Sequence, residues 1–191
     1  MPVAQVDREV LLAPLATRRH TARRKLREAV RSHRYTRLLN SLESAAQAPP
    51  LRGKSGRRAS KVLPPLVESR WRALWREVRR VGSSPAPAEL HAIRIRAKRA
   101  RYAAEAAGPA LGAPARRFAK RMEQLQELLG NHHDAVVAAA WLREISIGAD
   151  ARLAFLAGEV AGLQDAEADG VAREWPRAWK RARHKRYREW L

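Results

Sequence analysis

Between Leu90 and Glu105 the sequence LHAIRIRAKRARYAAE sorts its residues with the period of an α-helix. His91, Arg94, Lys98, Arg101 and Glu105 follow one another at steps of three and four. At about 100° per residue these five, with Tyr102, fall within an arc of roughly 100° on one face. Ile93, Ala97, Ala100 and Ala104 occupy the neighbouring arc. The segment therefore reads as an amphipathic helix whose polar stripe is ordered. Three fixed cations and a histidine in one row repel each other. A solvated charged face is the bland explanation; a polyanion lying along the row is the sharper one.

The rest of the chain also reads as helix, and no segment alternates convincingly like a strand. One long helix is expected over Val3–Arg31, kinked at Pro14, and a shorter one over Arg34–Ala46. The stretch Ala48–Ser60 (APPLRGKSGRRAS) has the proline, glycine and basic content of a flexible loop. The next helix is expected over Leu63–Val81, with Pro64 and Pro65 in its first turn. Trp71 and Trp75 are i, i+4 partners on its buried face. After the linker Gly82–Ala88, helices are expected over Glu89–Ala107, Pro114–Leu129, Asp134–Ile147, Arg152–Asp169 and Val171–Trp190. Gly108, Gly130, Gly148 and Gly170 mark the breaks, as left-handed C-caps. Phe118, Met122, Leu125 and Leu129 line one core face, and Trp175 and Trp179 play the same part in the last helix. Short links between helices imply antiparallel neighbours, so the fold class is all-α, an antiparallel helical bundle.

Charge narrows the partner. The 191 residues carry 39 Lys+Arg against 19 Asp+Glu, a formal net charge of 39 − 19 = +20. Such a balance predicts association with nucleic acid, anionic membrane or inorganic polyphosphate. Two further cationic rows stand out, Arg19–Arg23–Arg27–Arg31 and Arg173–Arg177–Arg181–Lys185. Like charges at i, i+4 each cost a few tenths of a kcal/mol in an isolated helix. Three rows favour a composite anion site. Single-stranded nucleic acid needs exposed aromatics for stacking, yet four of the six tryptophans fall in pairs that look internal. Tyr35, Tyr102 and Tyr187 each follow an arginine but lie far apart. No zinc-finger, basic-zipper or RNP-like pattern is present. A ligand made only of phosphates fits better.

Other classes are disfavoured. There is no cysteine, hence no disulfide, thiolate metal site or thiol nucleophile. No P-loop or acidic metal pair supports an enzyme, and no cofactor or catalytic residue is assigned. The start of the chain carries Asp7 and Glu9 without an apolar run, so no signal peptide is expected. The longest apolar run, Ala135–Leu142, falls well short of the ~20 residues a membrane span needs. A cytoplasmic protein without a membrane partner is expected. His132, His133 and Asp134 are adjacent and lack a fourth ligand, so no metal is assigned. Asp134 reads as a helix N-terminal residue.

The motif H-x-x-R-x-x-x-K-x-x-R-Y-x-x-E, formed by His91, Arg94, Lys98, Arg101, Tyr102 and Glu105, resembles that of the CHAD family of histidine-containing α-helical domains. Leu125, Gln126, Leu129, Gly130 and Asp134, in LQELLGNHHDAVV, match a second motif of the family, LQ-x-x-LG-x-x-x-D. The resemblance is good from Val62 onward and weaker over Leu11–Ala46. It implies two similar four-helix repeats around a basic groove that binds inorganic polyphosphate, without enzymatic activity. On this reading residues 1–47 form a partial first repeat, 48–61 a flexible basic loop and 62–191 a complete second repeat. The family's own motif helix of the first repeat is not found, and the chain reads as starting after it.

Carried over to this sequence, the resemblance has Arg94, Lys98 and Arg101 contacting phosphate oxygens, with His91 donating a hydrogen bond. Tyr102 adds a hydroxyl or packs beside the stripe, and Glu105 orients Arg101. Lys120 and the row Arg19, Arg23 and Arg27 join the expected polyphosphate site. The partner expected is inorganic polyphosphate, with nucleic acid bound without sequence preference as the runner-up. A second copy of the chain could complete the groove. Association with polyphosphate granules follows from the same reading.

Overall fold

The structure, a computed structural model, describes residues 5–49, 51, 56–82 and 84–191, with side chains from residue 9 onward. Among these residues it contains six α-helices, one short 3-10 turn and no strand. They are α1 (Gln5–Val30), α2 (His33–Gln47), α3 (Ala59–Arg80), α4 (Pro87–Leu111), α5 (Ala113–Ser146) and α6 (Ala151–Ala182), followed by the 3-10 turn Lys185–Tyr187. The all-α class and the packed-helix architecture expected from periodicity are what the chain adopts.

The chain divides into two compact units. One comprises Met1–Gly56 with Ile145–Ala157, the other Arg57–Glu144 with Gly158–Leu191. In the first, α1 and α2 form a helical hairpin. Its turn is fixed by Ser32, whose hydroxyl donates to Ala29 O at 2.6 Å and accepts from Tyr35 N–H at 3.3 Å. That is the side-chain cap expected where four amide donors lack helical partners. Part of the expected loop 48–61 lies outside the described residues, and its last residues, from Ala59, already belong to α3. Pro64 and Pro65 therefore sit one turn later than expected.

The second unit owes its core to aromatic and alanine faces together. Trp71 of α3 stacks on Trp179 of α6 at 5.3 Å between ring centroids and meets Phe118 of α5 edge-on at 5.9 Å. Phe118 in turn meets Trp190 edge-on at 6.1 Å. Such pairs contribute about 0.5–1.5 kcal/mol each beyond the area they bury. Phe118, Met122, Leu125 and Leu129 are all fully buried, as their spacing predicts. On α4, Ile93, Ala97, Ala100 and Ala104 have no exposed surface. Methyl-sized side chains let α4 come close to its neighbours along its whole length. The start of α4 is set by Pro87 in its first turn and by Glu89, whose carboxylate accepts from Ala86 N–H at 2.7 Å.

The glycines correct the expected boundaries. Only Gly112 and Gly148 adopt positive φ among the described residues, at 72° and 73°. Gly148 ends a helix as predicted. Gly112, rather than Gly108, separates α4 from α5. Gly130 and Gly170 do not break anything: the two expected pairs of helices are the single helices α5 and α6. Asp134 is consequently mid-helix, not N-terminal. Lys185 lies beyond the end of α6 and so leaves the row begun by Arg173. Burial explains the continuity of α5. Gly130 is buried, and tertiary packing overrides a glycine's helix cost of about 1 kcal/mol.

This assignment has opposite consequences at two glycines. Gly130→Ala should raise stability by about 0.5–1 kcal/mol, because a Cβ there would meet only Arg94 Nε at 3.6 Å. Gly112→Ala should lower stability by about 1 kcal/mol, since alanine resists positive φ. Urea denaturation of both variants checks the pair; a loss at Gly130 would mean that α5 is broken there.

Candidate anion-binding site

The stripe read from the sequence lies along an antiparallel seam between α4 and α5. The His91 and His133 rings are 4.2 Å apart at their centroids. Arg94 packs over Gly130, Arg101 Nη2 lies 2.9 Å from Glu123 Oε1, and Gly108 faces Arg116. In each of these pairs the two residue numbers add to the same total. The register is therefore unbroken and sets Lys98 across from Gln126. The buried alanine face lies on the arc next to the stripe, and Arg94 passes over Gly130, where even an added methyl would make only ordinary contact at 3.6 Å. His91, Arg94, Lys98 and Arg101 are half-buried as a result.

The two ends of the seam differ in charge. At one end, Arg101 Nε donates to Glu105 Oε1 at 2.7 Å, so Glu105 does orient Arg101. Glu123 takes Arg101 on one oxygen and Lys120 Nζ on the other, at 2.6 Å. The hydrogen bond from Lys120, with the Arg101 charge behind it, holds the Glu123 carboxyl below its usual range despite desolvation. The same bond raises Lys120. Lys120 thus joins the seam, but through a carboxylate.

At the other end, neither Arg94 nor Lys98 makes an ion pair among the described residues. Lys98 Nζ stands 5.6 Å from the centre of the Tyr102 ring, which is half exposed. Three buried polar atoms on or beside this end have no hydrogen-bond partner: His91 Nδ1, Arg94 Nε and Gln126 Oε1. A buried donor or acceptor left unpaired costs about 1–3 kcal/mol. Their clustering marks a place suited to a polar ligand. Burial, followed by the charges of His133 and Arg94, depresses the His91 pKa. The imidazole is therefore harder to protonate than a free one.

The other expected residues are placed separately. Arg19, Arg23 and Arg27 are exposed along α1, in the first unit. His132 turns into the core while His133 turns to His91, and Asp134 is exposed. No group of three His, Cys, Asp or Glu suited to a metal occurs among the described residues. Sequence reasoning missed Glu123, the facing roles of Gln126 and Gly130, and the His91–His133 contact. The steps 123, 126, 130, 133 repeat the three-four spacing of the stripe and were the available signal.

Comparison with known families matches the CHAD domain over residues 2–143. The chain belongs to the CHAD family. The matched range contains α1 to α4 and nearly all of α5, hence both walls of the seam, and stops before α6. Two curated relatives, uncharacterized proteins from two strains of Mycobacterium tuberculosis, are each 32% identical over 147 residues. That alignment covers 75% of this chain and 27% of each relative, so the chain spans about a quarter of their length. No solved structure matches. No helix among the described residues of this CHAD chain is long and apolar enough to cross a membrane.

The buried histidines make stability depend on pH. His91 is depressed by burial and by His133 and Arg94; His132 is depressed by burial and by His133. Below the ordinary histidine pKa the unfolded chain binds protons that the folded one does not, so stability is lost as pH falls. The Tm should be flat above about pH 7 and drop between about pH 7 and pH 5, and His91→Gln should flatten the drop. Calorimetric scans across that range check both statements.

Proposed function

We propose that this protein binds inorganic polyphosphate along the α4–α5 seam, without catalysing a reaction. The observation that carries the reading is the open end of the seam. There, Arg94 and Lys98 are half-buried and have no acid partner among the described residues, beside two further buried polar atoms without partners. Guanidinium and ammonium groups held in register along a helix suit a chain of repeated phosphates. Membership of the CHAD family, whose resemblance implies polyphosphate, supports the same ligand. On this reading Arg94, Lys98 and His91 make the principal contacts. Arg101, Tyr102 and Lys120 extend the track, with Glu105 and Glu123 holding the cations until phosphate competes for them. Arg19, Arg23 and Arg27 add long-range attraction, and a second copy of the chain could supply a further wall. The protein would act in the cytoplasm, at polyphosphate granules.

A second reading, binding of RNA or DNA through the general positive surface, draws on the net charge of +20. It has few stacking platforms near the seam; Phe155 and Tyr35 are exposed elsewhere. Trp71, Trp175 and Trp179 are buried, and Trp75 packs against them. Tyr102 is the one aromatic exposed beside the stripe.

Competition between long-chain polyphosphate and RNA of matched charge, at physiological salt, separates the two. Polyphosphate should win, and binding should weaken steeply with salt. Arg94→Ala with Lys98→Ala should reduce polyphosphate affinity by more than ~10-fold, given roughly 1.5–3 kcal/mol per charged contact. Arg19→Ala with Arg23→Ala should cost much less. Preference for RNA, or equal losses from the two double variants, would overturn the proposal.

A further inference from the structure

A second cluster of cations lies on the other side of α5, away from the seam. Arg121 leaves α5 about 160° around the axis from Glu123, by the helical period. It meets Lys180 and Arg181 from the end of α6, and His184, Arg186 and Tyr187 from the tail. These six residues line a pocket of about 360 Å³ that contains no carboxylate. Arg181 Nη2 lies 3.5 Å from Glu174 Oε1, and Arg121 and Arg181 also border a neighbouring pocket with Glu127 and Glu174. Four fixed cations converge there from three consecutive stretches of structure.

The pocket is built rather than incidental. Two guanidiniums lie against the buried ring of Tyr187, Arg121 at 4.7 Å and Arg186 at 4.6 Å from its centre. The Arg186 guanidinium also donates to the Tyr187 hydroxyl. Trp190 Nε1 donates to Tyr187 O at 2.9 Å, and Arg188 Nε donates to Arg183 O at 3.2 Å, which pins the tail back on the helix end. Burial pushes the Tyr187 phenol up, yet the Arg186 hydrogen bond and the Arg121 and Arg186 charges outweigh it and hold it below its ordinary range. That is the signature of a strongly positive field. Basic residues in the last turn of α6 have a plain explanation in the helix dipole. Arg121, from another helix, and Arg186, beyond the end, do not.

We propose that Arg121, Lys180, Arg181 and Arg186, arranged around Tyr187, form a second anion site that takes a single phosphoryl group, carried on a small molecule or at the end of a polyphosphate chain. The α6 and tail residues of this pocket lie outside the range matched by the CHAD family. Arg121 lies inside that range, so the site joins one residue of the matched part to three cations beyond it. It stands independently of whether the seam binds polymer.

Pyrophosphate is the probe, titrated calorimetrically into full-length protein carrying Arg94→Ala and Lys98→Ala, so that the seam is disabled. Saturable binding should persist. Adding Lys180→Ala and Arg181→Ala, both at exposed positions, should weaken it by about tenfold or more. Adding Arg79→Ala and Arg80→Ala instead removes the same charge from exposed positions on α3 and should leave it nearly unchanged. Absence of saturable binding in the seam variant, or equal loss from the two charge-matched pairs, would overturn the proposal. Displacement of pyrophosphate by polyphosphate with free ends, but not by end-capped polyphosphate, would support the site and assign it to chain ends. Displacement by neither would support it as a site for small phosphates.

Discussion

The close approach of α4 to α5 is the constraint on which the seam depends. Ala97, Ala100 and Ala104 are fully buried on the arc beside the stripe, while Arg94 and Arg101 lie against Gly130 and Glu123 of α5. The cations of α4 therefore cannot fan out into water. They are held in a half-buried row at fixed spacing, a repulsive arrangement on its own. The aromatic and aliphatic core of Trp71, Phe118, Leu125 and Trp179 keeps the row together. Hydrophobic burial of this kind, at ~25 cal/mol per Å², easily exceeds the few tenths of a kcal/mol per like-charge pair that the row costs.

The same register that aligns the cations also divides them. Glu123 enters at one end and, with Glu105, neutralises Arg101 and Lys120. The other end is left with Arg94, Lys98 and a His91 whose pKa is depressed by burial and by its neighbours. On the reading proposed above the seam is a polarised track: its open end offers donors without an acid partner among the described residues, and its closed end offers cations that would first exchange a carboxylate for a phosphate. Desolvation makes the exchange matter, because charge-assisted bonds between partly buried groups are roughly twice as strong as neutral ones. This polarity gives the expected contacts unequal weight, with Arg94 and Lys98 ahead of Arg101.

Much of this was legible in the sequence where a single helix carried the signal. The three-four spacing of His91 to Glu105 identified the stripe, and that of Ile93 to Ala104 its buried neighbour. Trp71, and Phe118 to Leu129, read correctly as interior, whereas Trp75 is only partly buried at the edge of the core. What escaped depends on a second element. The continuity of α5 through Gly130 and of α6 through Gly170 comes from packing, which overrides glycine's local preference. The pairing of Arg101 with Glu123 and the tilted contact of His91 with His133 require knowing which face of α5 meets α4. The pocket around Tyr187 combines one helix, the end of another and a folded-back tail, so no local pattern announces it.

The central claim is that the open end of the seam, and Arg94 Nε in particular, is where a phosphate polymer is gripped. The most direct measurement follows the arginine Nε–H signals by NMR as long-chain polyphosphate is added. The account predicts that Arg94 Nε–H, assigned through its loss in Arg94→Lys, shifts first and furthest and gains protection from solvent exchange. Small, uniform shifts across the exposed arginines of α1, with Arg94 Nε–H unmoved, would contradict it.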